Sequence, residues 1–173
     1  MKLNNLYFYT STIIKWKQLL KPDKYKDILI NSLKYLVDKK KIAIYGFVIM
    51  PNHIHLIWEL IELNGNEYPH ESFMKHTSHS ILKDLQINQP SLLKEFEVEL
   101  KTRTHQFWQR DSLPVLLYSP NVIYQKLNYI HNNPLQEKWM LANTPIDYKY
   151  SSAYFYETKK DIFGILTHIQ ERI

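Results

Sequence analysis

MPNHIHLIWEL, Met50 to Leu60, is the stretch from which the rest of the chain can be placed. Side chains alternate along a strand, so His53, His55 and Ile57 share one face while Ile54, Leu56 and Trp58 take the other. Before it runs IAIYGFVIM (Ile42 to Met50), apolar, β-branched and aromatic, and the intervening Pro51-Asn52 pair suits a tight turn. The two runs therefore predict a hairpin with two imidazoles side by side at the start of its second strand. Such a pair can hold a divalent cation while leaving most of its coordination sphere open, as a catalytic site requires, and a third ligand must come from elsewhere. The same pair also fits strand histidines that simply hydrogen-bond their neighbours.

Working outward, 173 residues at 45% hydrophobic and 14% aromatic describe one globular domain spanning residues 1–173. The absence of cysteine excludes disulfides and thiolate metal sites. No signal-like segment or run of membrane-spanning length is present, which predicts a soluble, cytoplasmic protein with no membrane partner. The net charge of +5 is unevenly spread: residues 1–50 carry ten lysines against three acids, residues 51–100 three bases against eight acids. A basic first third suits a polyanion or a merely solvated face, with Lys15, Lys17, Lys24 and Lys26 as candidate nucleic-acid contacts.

Leu6 to Ile14 reads as a first strand, and Pro22-Asp23 opens a helix with Tyr25, Ile28, Leu29, Leu33 and Leu36 at helical spacing. After the hairpin, Glu71 to Leu85 places Phe73, Thr77, Ile81 and Leu85 on one stripe, and Ser91 begins a short helical piece reaching Leu100. His105 to Trp108 and Val115 to Tyr118 form a fourth strand region, whose Pro114 belongs at a strand start, bulge or sheet edge. The fold class is therefore α+β: a ferredoxin-like βαββαβ antiparallel sheet with helices on one face and an appended helix after Pro120. That topology makes the histidine strand central and the fourth strand an edge.

The appended helix reads NVIYQKLNYIHNNP, Asn121 to Pro134. Ile123, Leu127 and Ile130 form the stripe expected to pack on the sheet. Tyr129 lies about 160° from Leu127, on a polar face with Gln125, Lys126, Asn132 and Asn133. A tyrosine so placed is free for chemistry, or is one exposed ring among 13 tyrosines.

The H-x-H strand after Met-Pro-Asn, FWQR at Phe107–Arg110, YIHNNP at Tyr129–Pro134 and DYKYSS at Asp147–Ser152 together resemble the REP-associated tyrosine transposases. These belong to the insertion-sequence-200-like branch of the HUH single-strand nucleases, and the resemblance runs from about residue 6 to 156. It implies the ferredoxin-like fold, Mg²⁺ or Mn²⁺ held by His53 and His55 with Asn133 as an amide-oxygen third ligand, and Tyr129 as nucleophile. The implied activity is DNA transposition: cleavage and rejoining of single-stranded or hairpin DNA through a 5′-phosphotyrosine, with a homodimer as one possible assembly. Two other readings are a non-cutting repeat-hairpin binding protein derived from a transposase, and an HUH replication initiator or relaxase-like nickase. Departures from the family pattern are LQEKWM after NNP, which predicts a different helix exit, and a long acidic stretch from Gln86 to Arg103.

Other features read as structural. His76 and His79 lack a third ligand, His131 faces packing, Ser151 and Ser152 suit capping or backbone bonding, and Trp108, Trp139, Tyr154 and Phe155 suit the core.

Overall fold

Pro51 and Asn52 do form the turn of a hairpin, and the remaining elements are arranged about it. The computed structural model describes residues 1–100, 102–110 and 112–173. In chain order it contains β1 (Leu6–Thr12), α1 (Asp23–Asp38), β2 (Ile42–Met50), β3 (His53–Leu60), α2 (Pro69–Asn88) and the single turn α3 (Pro90–Leu93). It continues with β4 (Glu97–Leu100), β5 (Arg103–His105), β6 (Leu113–Leu116), α4 (Pro120–Asn132) and α5 (Ala153–Thr158). The main sheet has the order β2-β3-β1-β6, antiparallel throughout, with β3 and β1 central and the Pro114-bearing β6 on an edge.

Register and alternation sort the two faces. Thr10 pairs with His55 and Val48 with His55, while Tyr9 and Phe47 pair with Leu56. One face therefore carries Phe8, Thr10, Gly46, Val48, His53 and His55; the other carries Tyr9, Phe47, Leu56 and Trp58. The second face is covered by α2, whose Phe73 ring lies 6.4 Å from Trp58. Neighbouring α1 joins α2 through a 2.8 Å bond from the Tyr25 hydroxyl to Asp84. The apolar stripes expected of both helices are buried, apart from half-buried Ile28.

The histidine face is covered by α4. Ser119 caps it by accepting Val122 N–H, Pro120 fills its first turn, and Ile123, Leu127 and Ile130 are buried. It approaches β2 at Gly46, where an added Cβ would come within 2.7 Å of Leu127 and 3.0 Å of Ile130. The residues after α4 return to the free edge of β2. Ile49 N–H donates to Tyr150 O at 2.9 Å, Ser152 N–H to Phe47 O at 2.9 Å, and Thr167 N–H to Ile44 O at 2.9 Å. That edge is thereby paired instead of open to other chains.

Two expectations need correction. The helical piece expected to reach Leu100 ends with α3 and a 3₁₀ turn at Lys94–Phe96, and Glu97–Leu100 pairs with Arg103–His105 as a separate hairpin. EVEL alternates exposed glutamates with half-buried Val98 and Leu100, a period of two that the helical reading overlooked. The fourth sheet strand is Leu113–Leu116 alone. Phe107–Gln109 instead extends the end of β1, with Ile14 N–H donating to Phe107 O at 2.7 Å and Gln109 N–H to Thr12 O at 2.8 Å.

Candidate active site

His53 and His55 stand on the α4 side of central β3, their ring centroids 4.7 Å apart. Each is oriented by a neighbour. Asn52 donates its amide N–H to Trp16 O at 3.2 Å, so its Oδ1 is left to accept from His53 Nδ1 at 2.6 Å. His53 therefore carries its proton on Nδ1 and a lone pair on Nε2. His55 Nδ1 lies 2.8 Å from Thr10 Oγ1, and its Nε2 is buried with no partner. Burial is the main cause holding both rings neutral: the pKa of His53 is lowered to about 4, with Lys138 adding to the effect, and that of His55 to about 3, with His53, Lys126 and Lys138 adding. Neutral imidazoles with a fixed Nδ1 partner are the protonation state in which histidine binds metal.

Tyr129 stands over this pair, its ring centroid 5.4 Å from that of His55 and 6.2 Å from that of Phe8. The sequence placed it on the helix face opposite the packed stripe, hence away from the sheet. In the fold α4 rests its stripe on β2, and the tyrosine flank overhangs β3 and β1. Tyr129 remains 43% exposed, so a ligand can reach it. Asn133 follows one helical turn later; it is 2% exposed, and its Oδ1 is buried without a partner.

His55 Nε2 and Asn133 Oδ1 are both buried without a partner, whereas such groups ordinarily find one; an electropositive ligand would satisfy the amide oxygen and, with the His55 proton on Nδ1, the ring nitrogen. Two neutral imidazoles and an amide oxygen suit a divalent cation that completes its shell from water and a substrate anion. Among the described residues no cluster of three His, Cys, Asp or Glu forms a conventional metal site.

Lys126 Nζ lies 4.8 Å from the Phe8 ring centroid and 5.8 Å from that of Tyr129. The LQEKWM exit turns through a 3₁₀ segment at Asn133–Leu135 and returns Lys138 and Trp139 to the site, with the Trp139 ring 6.0 Å from His53 and its Nε1 buried without a partner. Nothing in the sequence pattern marks Lys138, and Trp139 suits the core by composition alone. The only available signal was the departure from the family pattern at LQEKWM.

Three of the four lysines singled out from the sequence are engaged by carboxylates. Lys17 is paired with Glu95, Lys24 with Asp84 at 2.6 Å, and buried Lys26 with Asp23 at 2.8 Å. Lys15 adopts a left-handed φ of 54° in the turn after β1, beside Trp16 at 56°. His131 and Ser152 form a structural pair: Ser152 Oγ accepts Phe47 N–H at 3.0 Å and sits 2.8 Å from His131 Nε2, and burial lowers the pKa of that histidine to about 4. No described helix is long and apolar enough to cross a membrane.

No family model matches the sequence, and no curated protein matches it. Solved structures that resemble it include the following two. One is a REP-associated tyrosine transposase bound to a REP hairpin, with a TM-score of 0.63 and 15% identity over 97% of this chain and 88% of that one. The other, a candidate transposase from Deinococcus radiodurans R1, has a TM-score of 0.44 and 16% identity over 73% of this chain and 88% of that one, a likeness too weak to build on. At these identities the first likeness speaks for architecture: the chain has the fold of a REP-associated tyrosine transposase.

Proposed function

We propose that this protein is a metal-dependent single-strand DNA transferase of the transposase type, with Tyr129 as nucleophile. The observation that carries the reading is Tyr129 held 5.4 Å, ring to ring, from a neutral histidine whose Nε2 is buried and unpartnered. His53, His55 and Asn133 would hold Mg²⁺ or Mn²⁺, which when bound supplies positive charge to the non-bridging oxygens of a phosphodiester. Lys126 and Lys138 supply fixed charge on the same site. No carboxylate is among its donors, so a cation flanked by two lysines is favoured only with an anion present, which fits a phosphodiester ligand.

In the step itself the Tyr129 oxygen bonds to phosphorus, the bond from phosphorus to the 3′ oxygen breaks, and the departing 3′ oxygen takes a proton. The phenolic proton passes to solvent through the exposed side of the ring. The phosphotyrosine ester retains the bond energy, so attack by a second 3′-OH rejoins strands with no other energy source. By analogy with the structural neighbour bound to a REP hairpin, the DNA is a hairpin.

Incubating the protein with labelled hairpin and single-stranded DNA, with Mn²⁺ or EDTA, and separating the products on denaturing gels tests this. A covalent adduct that needs the metal and is lost in Tyr129→Phe is expected. Tight binding with no adduct, beside an active related enzyme, would reduce the protein to a non-cutting DNA-binding module.

A further inference from the structure

Phe8 lies on β1, 7% exposed, on the sheet face it shares with Thr10 and, across the strand pair, with His55. Thr10 is directly opposite His55, so Phe8 is its diagonal neighbour, within reach of an aromatic ring. The two rings stack with centroids 5.2 Å apart and planes at 23°. Tyr129 meets the same phenyl ring edge-on, at 6.2 Å and 75°. From α4, Lys126 places its Nζ 4.8 Å from the Phe8 centroid. One buried ring therefore touches a candidate metal ligand, the candidate nucleophile and a cation.

Half-buried Lys126 makes no ion pair among the described residues. It precedes Tyr129 by three positions on α4, so the two share a helix flank, and its Nζ is also 5.8 Å from the Tyr129 centroid. A lysine with no partner spreads over many rotamers. A carboxylate would pin it and cancel its charge, whereas an aromatic face pins it through the ring quadrupole and leaves the charge available to an anion. That charge reaches His55, where it adds to the effects of burial and of His53 in keeping the ring neutral. As the Tyr129 oxygen bonds to phosphorus, negative charge grows on the non-bridging oxygens, and a cation already fixed beside the nucleophile stabilises it without reorganisation.

We propose that Phe8 is a positioning residue for strand transfer: its π face fixes the Lys126 ammonium beside the Tyr129 ring, so that this charge meets the phosphate under attack. The role rests on the transferase reading above. Stacking on His55 ties the placement to the histidine pair, so the cation, the phenol and the imidazole keep one mutual geometry. Phe8 itself is too buried to contact DNA, and it exchanges no proton and no bond. Its whole effect passes through Lys126, which separates it from a residue that merely fills the sheet face.

The test compares the protein with Phe8→Leu and with Phe8→pentafluorophenylalanine, which keeps the shape of the ring and reverses the sign of its face. The single-turnover rate of Tyr129 adduct formation at saturating hairpin DNA should fall about tenfold or more in Phe8→Leu. In the fluorinated protein it should fall about fivefold or more, with the melting temperature unchanged. The lysine charge is still present in both, so the Kd for DNA and its salt slope should hold. In the metal-free protein the Lys126 ε-methylene protons, assigned by their loss in Lys126→Ala, should lie upfield through ring currents and return to ordinary lysine values in Phe8→Leu. A fluorinated protein as fast as the unaltered one, rate losses that follow Kd or the folded fraction, or a Lys126 resonance indifferent to Phe8→Leu would each overturn the proposal while leaving the transferase reading in place. No adduct in the unaltered protein, beside an active related enzyme, would overturn both.

Discussion

Gly46→Ala should disturb the site without touching a residue in it. The β2 backbone at Gly46 packs directly against α4 side chains, and its φ lies outside the left-handed region, so alanine meets only a steric objection. The new Cβ would stand 2.7 Å from Leu127 Cδ2 and 3.0 Å from Ile130 Cδ1, whereas carbon atoms prefer about 3.5–4.0 Å. Leu127 must therefore give by about 1 Å. Overpacking of this kind costs about 1–3 kcal/mol, and the lower unfolded-state entropy of alanine returns about 0.4–1 kcal/mol. The net expectation is a loss of about 1–2 kcal/mol in urea unfolding. Tyr129 lies two residues beyond Leu127, and a displacement near 1 Å at a reacting group can cost about 100-fold in rate. Adduct formation should thus fall much further than the folded fraction does. Leu127→Val removes the clashing methyl, so the double variant should be more stable than the sum of the single effects by at least about 0.5 kcal/mol. Gly46→Ala with unchanged stability and cleavage, or strictly additive singles, would refute the reasoning.

The buried histidines make stability depend on pH. His131 titrates at about 4 when folded and near 6.5 when unfolded, so between those values the unfolded chain binds the extra proton and stability rises with pH. Its share is fully present above about pH 6.5 and is reduced by about 2 kcal/mol at pH 5, so urea melts of His131→Gln should lose less between pH 7 and 5 than those of the unaltered protein. Lys126→Ala and Lys138→Ala should each lower the slope of log affinity for single-stranded DNA against log salt by about 0.7, while Lys17→Ala, already engaged by Glu95, should leave it unchanged. Calorimetric Mn²⁺ binding, measured with uncleavable DNA present, should weaken at least about tenfold in Asn133→Ala. It should also stay flat from pH 6 to 8, since both imidazoles are already neutral there; a proton-linked decline across that range would contradict their assignment as neutral ligands.

What the sequence determined by itself is local. The alternation of Ile42–Met50 and His53–Leu60 placed two histidines on one strand face, and the i, i+4 and i+7 spacing of Ile123, Leu127 and Ile130 defined the buried stripe of α4. Proline at 114 foretold an edge, and the element order foretold the split antiparallel sheet. These follow from chain geometry over a few residues, which is why they could be read without coordinates. Tertiary structure decided what depends on residues far apart in the chain. Lys17 and Lys24 meet carboxylates 78 and 60 positions away, so no local pattern could show that their charge is engaged. Tyr129 came to lie over His55 because Gly46 lets α4 dock off-centre, on β2, leaving its flank above the neighbouring strands; helical spacing fixes which residues share a side, and only packing against a partner fixes where that side points.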